Sequence, residues 1–413
     1  MLNTDKSGLR RAMPKDPIAA RRGYSGPALF SFGFRPFFLF GAFWAALSGP
    51  LWMHAYAGAD AMIGAAPALA WHIHEMLFGF IGAIVAGFLL TAVPNWTGRL
   101  PVMGWPLAGL FALWAAGRAA MLFYEDLGIG AAVIDSAFLV VLVGLLGREV
   151  VTGGNAKNIP VIVFASLFAL ANIGFHAALM LGLDWRPAQG IAIAVIAMLI
   201  ALIGGRIVPS FTRNWLVQQG QSKLPAPMGL YDRASLVAVG VALILWIALP
   251  FDWFSGSLLL IAGAMHTVRV ARWKGWKTAA EPLVLILHVG YAWLPLALVL
   301  MGLSMIAPGV VPSSAALHAL TAGAMGTMTL AVMTRASLGH TGRERTADLW
   351  TSAIYVLVVS GALLRVVSPI ALGQGQAIAL GLAAVIWSGA FALFFVRYAP
   401  ILVMPRRSEP SAR

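Results

Sequence analysis

Eight histidines and no cysteine set the chemistry open to this 413-residue chain. Without thiolate there are no disulfides, iron-sulfur clusters, cysteine zinc sites or Cys-x-x-Cys-His attachment of haem. Any metal must therefore be held by His, Met or carboxylate. The densest candidate is Trp71-His-Ile-His-Glu-Met76. Imidazoles at i and i+2 of a helix project about 200° apart, so His72 and His74 cannot readily share one metal from a regular helix, although they can serve two sites. Glu75 is the carboxylate beside them. It either receives a proton or orients an imidazole, or it sits favourably at a positive helix N-terminus. His318, in Leu317-His-Ala-Leu-Thr321, and His288, in Ile286-Leu-His-Val-Gly-Tyr291, are further candidates, and His340 follows in Gly339-His-Thr-Gly-Arg343. His54 and His176 carry no motif and read as interfacial. Met325, Met328 and Met333 share one segment but form no Met-x-Met cluster, which suits packing better than copper ligation.

These side chains must be positioned by membrane-crossing helices. Of all residues, 60% are hydrophobic and 10% charged, against about 25% charged in a soluble domain. A helix needs about 20 mainly apolar residues to cross the hydrocarbon core. Such runs are predicted at 37–58, 75–95, 102–122, 128–147, 159–182, 188–210, 234–251, 255–270, 281–305, 314–336, 348–368 and 376–399, the eighth being short. The fold class is thus all-α, a polytopic membrane protein of about twelve helices, since a lipid-exposed backbone must satisfy its own hydrogen bonds. The division is a basic tail (1–27), a transmembrane domain (28–400) and a second tail (401–413).

The net charge of +13 is read as orientation rather than as nucleic-acid binding. Lys and Arg collect on cytoplasmic loops. The N-terminal tail, Arg99, Arg148 with Lys157, Arg206/Arg213/Lys223, Arg269/Arg272/Lys274/Lys277, Arg335/Arg343/Arg345 and Arg406/Arg407 fall on one side, and Asp60, Glu125/Asp126, Asp184 and Asp252 on the other. Both termini are therefore expected in the cytoplasm. Arg206 and Arg335 lie in or near apolar spans and would seek partners there.

An internal echo marks the exits of the second, sixth and tenth spans: Val93-Pro-Asn-Trp-Thr-Gly-Arg99, Val208-Pro-Ser-Phe-Thr-Arg-Asn214 and Val332-Met-Thr-Arg-Ala-Ser337. Copies four spans apart suggest three pseudo-repeats of four helices. If the second and tenth spans are neighbours, His72 or His74 meets His318 at similar depth, and the pair could hold a haem iron. His288 lies about two turns inside the cytoplasmic end of the ninth span.

Phe32-Gly-Phe-Arg-Pro-Phe-Phe38, Trp71-His-Ile-His-Glu-Met-Leu-Phe-Gly-Phe80, Pro94-Asn-Trp-Thr-Gly-Arg99, Gly204-Gly-Arg-Ile-Val-Pro209 and Met333-Thr-Arg-Ala-Ser-Leu-Gly-His-Thr-Gly-Arg343 together closely resemble the NnrS family over residues 28 to 400. The resemblance implies a bacterial cytoplasmic-membrane protein with haem, non-covalent and b-type, and copper, associated with nitric oxide and nitrosative stress. It carries His72, His74, His288, His318 and His340 over as metal or cofactor ligands. His340 is 22 residues beyond His318, a helical rise of about 33 Å, so an unbroken helix keeps it out of an outer site. A broader likeness is to the catalytic subunit of haem-copper oxidases and nitric oxide reductases, with twelve helices in three groups and haem ligands from the second and tenth. The sixth span here has no His, which departs from that scheme.

The expectation is a protein that binds nitric oxide or processes it by redox chemistry, with an unidentified electron donor and Glu75 as the acid–base candidate. A secondary transporter, or a non-catalytic haem or metal sensor, are the rivals.

Overall fold

The computed structural model describes residues 24–58, 62–63, 66–154, 158–250, 252–371 and 373–407. The basic tail to about Arg22, Asp60, Lys157 and residues 408–413 lie outside them.

Among the described residues, twelve helices are long and apolar enough to cross a membrane: α1 Phe34–Tyr56, α2 Ala68–Thr97, α3 Trp105–Leu122, α4 Ile129–Thr152, α5 Ile159–Leu181, α6 Arg186–Gln218, α7 Leu230–Ala248, α8 Trp253–Arg272, α9 Pro282–Ile306, α10 Ser313–His340, α11 Leu349–Ala371 and α12 Gly373–Val403. A two-residue antiparallel pair, Met62–Ile63 with Ala66–Pro67, lies between α1 and α2. The eighth span reaches full length because Asp252 caps it, accepting from the Phe254 and Ser255 amides and so satisfying two of the four free donors of the first turn. Gly98 ends α2 at φ 69°, a left-handed conformation that costs glycine little.

The helices form three arcs of four. α11, α12, α1 and α2 pack in succession, as do α3 to α6 and α7 to α10. Helices α2, α6 and α10, of 30, 33 and 28 residues, meet at the centre. There Ile84 and Phe88, Ile200 and Ile207, and Met325 and Val332 line a shared apolar cavity of about 100 Å³. Met325 and Met328 help line it and Met333 is buried, so these thioethers pack. The echo in the sequence thus marks the three inner helices.

Each inner helix is also interrupted by π-helical turns, at Glu75–Ile81, Ile200–Gly204 and Ala319–Met325. A π turn disturbs the regular ladder and can free a carbonyl. In all three, a side chain from an outer helix donates to one. Trp114 Nε1 reaches the Gly79 oxygen at 2.9 Å, Arg269 Nη1 the Ala201 oxygen at 2.8 Å, and Trp387 Nε1 the Ala322 oxygen at 3.1 Å.

Candidate metal centre

The first π segment begins one residue after His74, in a helix that opens at the end of the bundle opposite the described chain ends. α3 and α5 finish at that end and α4 begins there, so a polar residue near each terminus can reach one point. Arg118 from α3, Asp135 from α4, and Asn172 with His176 from α5 do so, meeting His74 and Glu75 of α2. All are sealed from solvent: His74 and Glu75 are 0% exposed, Asp135 and Asn172 1%, His176 2% and Arg118 4%. At that burial every charge needs a partner.

The partners are present. His74 Nδ1 lies 2.9 Å from Glu75 Oε1, and His74 Nε2 lies 3.1 Å from Asp135 Oδ2 and 3.2 Å from Asn172 Oδ1. Arg118 donates to Glu75 Oε2 at 2.5 Å and, through its other terminal nitrogen, to Asp135 Oδ1. Asn172 Nδ2 and His176 Nε2 reach Asp135 Oδ2 at 2.9 and 3.0 Å. Without a metal, both His74 nitrogens face carboxylate oxygens, so each of the two contacts needs a proton. Two carboxylates then balance Arg118 and the one extra proton.

The same arrangement suits a metal. One donor atom each from His74, Asp135 and His176 lie within 4.8 Å of one another. The contacts of 3.0–3.2 Å among His74, Asp135, Asn172 and His176 atoms approach the edge, about 3.3 Å, of a tetrahedron with bonds of about 2.0 Å. Glu75 on Nδ1 leaves Nε2 as the coordinating atom, which is the carboxylate–histidine–metal relay found at metal sites. Two imidazoles with a carboxylate suit copper, zinc or ferrous iron. Several polar atoms lack partners among the described residues: Arg118 Nε, Trp44 Nε1, His176 Nδ1 and Tyr124 Oη. Tyr124, in the one-turn helix before α4, stacks on His176 at 10°. Gly79 makes room for the cluster, since a Cβ there would stand 2.4 Å from Arg118 Nη1 and 2.8 Å from Glu75 Oε2.

His72 belongs to a different group, as its separation from His74 around the helix requires. Its ring stacks on Trp52 of α1, centroids 4.7 Å apart, and its Nδ1 is buried without a partner among the described residues. His318 of α10 and Arg365 of α11 are near enough for their charges to bear on one another and on His72. His318 Nδ1 donates to the Ser314 carbonyl at 2.7 Å, which leaves the Nε2 lone pair free.

His288 and His340 join neither group. His288 Nε2 donates to the Thr212 hydroxyl at 2.7 Å, while that hydroxyl donates to the Val208 carbonyl. It is 18 residues from the end of α9 at Ile306, about 27 Å of helix, and so is remote from His318. His340 packs against the rings of Phe32 and Phe34, centroids 5.2 and 5.6 Å away. His54 is exposed, but His176, read from the sequence as interfacial, is a buried member of the cluster. Arg206 is exposed, and the Arg335 guanidinium lies 4.0 Å from the Phe211 centroid. Arg35 donates to the Leu402 and Met404 carbonyls at 2.8 and 2.7 Å, tying α1 to the end of α12.

Sequence reasoning missed Arg118, Asp135 and Asn172. The available signal was one cation and one anion inside consecutive spans, 17 residues apart. The loop assignment also placed Arg269 outside the membrane. It is buried in α8, donating to Asp232 at 3.0 Å and to Tyr291 Oη at 2.7 Å, and that hydroxyl is 3.0 Å from His266 Nδ1.

The family described as NnrS protein matches residues 28–406. A search of curated proteins gave no match.

Proposed function

Because this chain belongs to the NnrS family, we propose that it is a membrane-embedded redox-metal protein of the nitric oxide response. In this reading a metal, copper, is held by His74, Asp135 and His176, and a non-covalent b-type haem lies between His72 and His318. The protein would sit in a bacterial inner membrane with both termini in the cytoplasm, which puts both groups in the periplasmic half. The observation that carries the reading is the convergence of two imidazole nitrogens and a carboxylate oxygen within 4.8 Å inside membrane-crossing helices. Ionisable groups persist in such segments at a cost and are usually functional or paired. The haem half is supported by the unpartnered His72 nitrogen and the carbonyl-fixed tautomer of His318.

When bound, the redox metals supply coordination of a diatomic ligand and one-electron exchange. The protein's own residues do the rest. Glu75 holds the Nδ1 proton of His74 and so fixes which nitrogen faces the metal. Arg118 clamps Glu75 and Asp135 from one side, keeping both carboxylates aimed. With a metal held there, His74 would give up its Nε2 proton and keep the Nδ1 proton on Glu75. The unpartnered N–H groups of Trp44 and Arg118 can donate to oxygen atoms of a ligand or water, and the apolar cavity between the inner helices favours uncharged ligands.

The balance of Arg118 and one extra proton against two carboxylates favours a second reading, a purely structural ion-pair clasp. Metal and haem analysis of the detergent-purified chain, with absorption spectra of both oxidation states, separates them. The proposal expects bound copper and a Soret band, and consumption of nitric oxide by the reduced protein if it turns over. A chain without metal or haem fits the clasp or a secondary transporter instead.

A further inference from the structure

Arg365 presents a problem that the ion pairs elsewhere do not solve. It stands half-buried on α11 inside a membrane-crossing helix, and among the described residues its Nη1 is shut away without a partner and it forms no ion pair. A cation in that setting is costly unless an anion neutralises it. Other guanidiniums inside the helices are satisfied, Arg118 by Glu75 and Asp135, Arg269 by Asp232, and Arg35 by the Leu402 and Met404 carbonyls. The opening turns of α10, which carry His318, pack against α11, and Tyr56 of α1 and His72 of α2 are near enough for their charges to bear on this group. His72 Nδ1 is buried without a partner among the described residues, His318 uses Nδ1 on the Ser314 carbonyl and so keeps the Nε2 lone pair, and Trp52 lies flat against His72.

We infer that Arg365 anchors the carboxylate edge of an iron porphyrin whose metal lies between His72 and His318. The inference rests on the haem half of the proposed function. The three helices supply complementary parts of one ligand: imidazole nitrogens for the iron, an aromatic wall beside one of them, and an unneutralised guanidinium for a carboxylate. Guanidinium matches carboxylate through two parallel N–H donors. A ligand without a negative edge would leave the charge unpaired.

The test pairs a change in the ligand with a change in the protein. Haemin and haemin dimethyl ester, which lacks the free carboxylates, are titrated into the haem-depleted full chain in detergent and followed at the Soret band. The native chain should bind the ester about 10- to 100-fold more weakly than haemin, the range of a charge-assisted hydrogen bond. Arg365→Gln should weaken haemin by a similar factor and leave the two ligands nearly equal, while Arg365→Lys should restore part of the preference. Equal binding by the native chain, or an undiminished preference in Arg365→Gln, overturns the assignment. If Arg365→Gln does not fold, Arg365→Lys decides: a smaller preference supports the inference and an unchanged one overturns it. A native chain that takes up neither ligand overturns the haem reading itself, and the anchor with it.

Discussion

Asp135→Asn is the most revealing change, because Asp135 serves two arrangements at once. In the metal-free protein its carboxylate accepts from His74, Asn172, His176 and Arg118. Neutralising it leaves His74 and Arg118 facing Glu75 alone, one buried positive charge in excess. Removing one partner of a buried pair costs about 3–5 kcal/mol. The lower figure is expected here, since His74 can release a proton and Asn retains one acceptor. At about 2–4 °C per kcal/mol for chains of 150–250 residues, and less for a longer one, this reads as several degrees in thermal unfolding followed by tryptophan fluorescence in detergent. Adding Arg118→Met rebalances the charge, so the double variant should be more stable than Asp135→Asn alone. The coupling should be about 2 kcal/mol, within the range for residues in contact. A metal at 100 times its Kd should stabilise the native chain by about 2.7 kcal/mol, and that increment should vanish in Asp135→Asn. Additive effects in the double variant, or equal stabilisation by metal with and without the carboxylate, would refute this reasoning.

Replacing His318 by Ala should remove haem or change its spin state, whereas His340→Ala should leave the spectrum nearly intact; the absorption spectra of both variants check this. Trp387→Phe should destabilise by about 1–3 kcal/mol, because the Ala322 carbonyl in the third π segment loses its indole donor, and hydrogen exchange of α10 should rise locally. Gly79→Ala should abolish metal retention even though its helix propensity is better, since the added Cβ would strike Arg118 and Glu75; metal content after purification is the readout.

The twelve spans were legible because hydropathy over about 20 residues reports burial in lipid whatever the partners. Their ends were less so. α6 runs to Gln218, well past its apolar core, since its polar end turns still pack on neighbouring helices. The placement of His72 and His74 in different groups followed from helical geometry. His176 did not, because nothing in its own sequence shows that α5 brings it to α2. Arg118 and Asp135 were hidden for a related reason: one charge scarcely alters the average of a long apolar window, and only the fold reveals that the two meet. The π turns left no periodic signature, although the copies Val93-Pro and Val208-Pro marked two of the helices that contain them. His288 and His340 stood in motifs that fit the family, but motif membership does not report depth, and the structure puts them far from His318.

The central claim is that α2, α4 and α5 together bind one metal. Its most direct test is pulsed electron paramagnetic resonance of the cupric form, with the histidines labelled by nitrogen-15. Two imidazole nitrogens should couple to the copper in the native chain and only one in His176→Ala. An unchanged signal in that variant, or one equally unchanged in His74→Ala, would contradict the account.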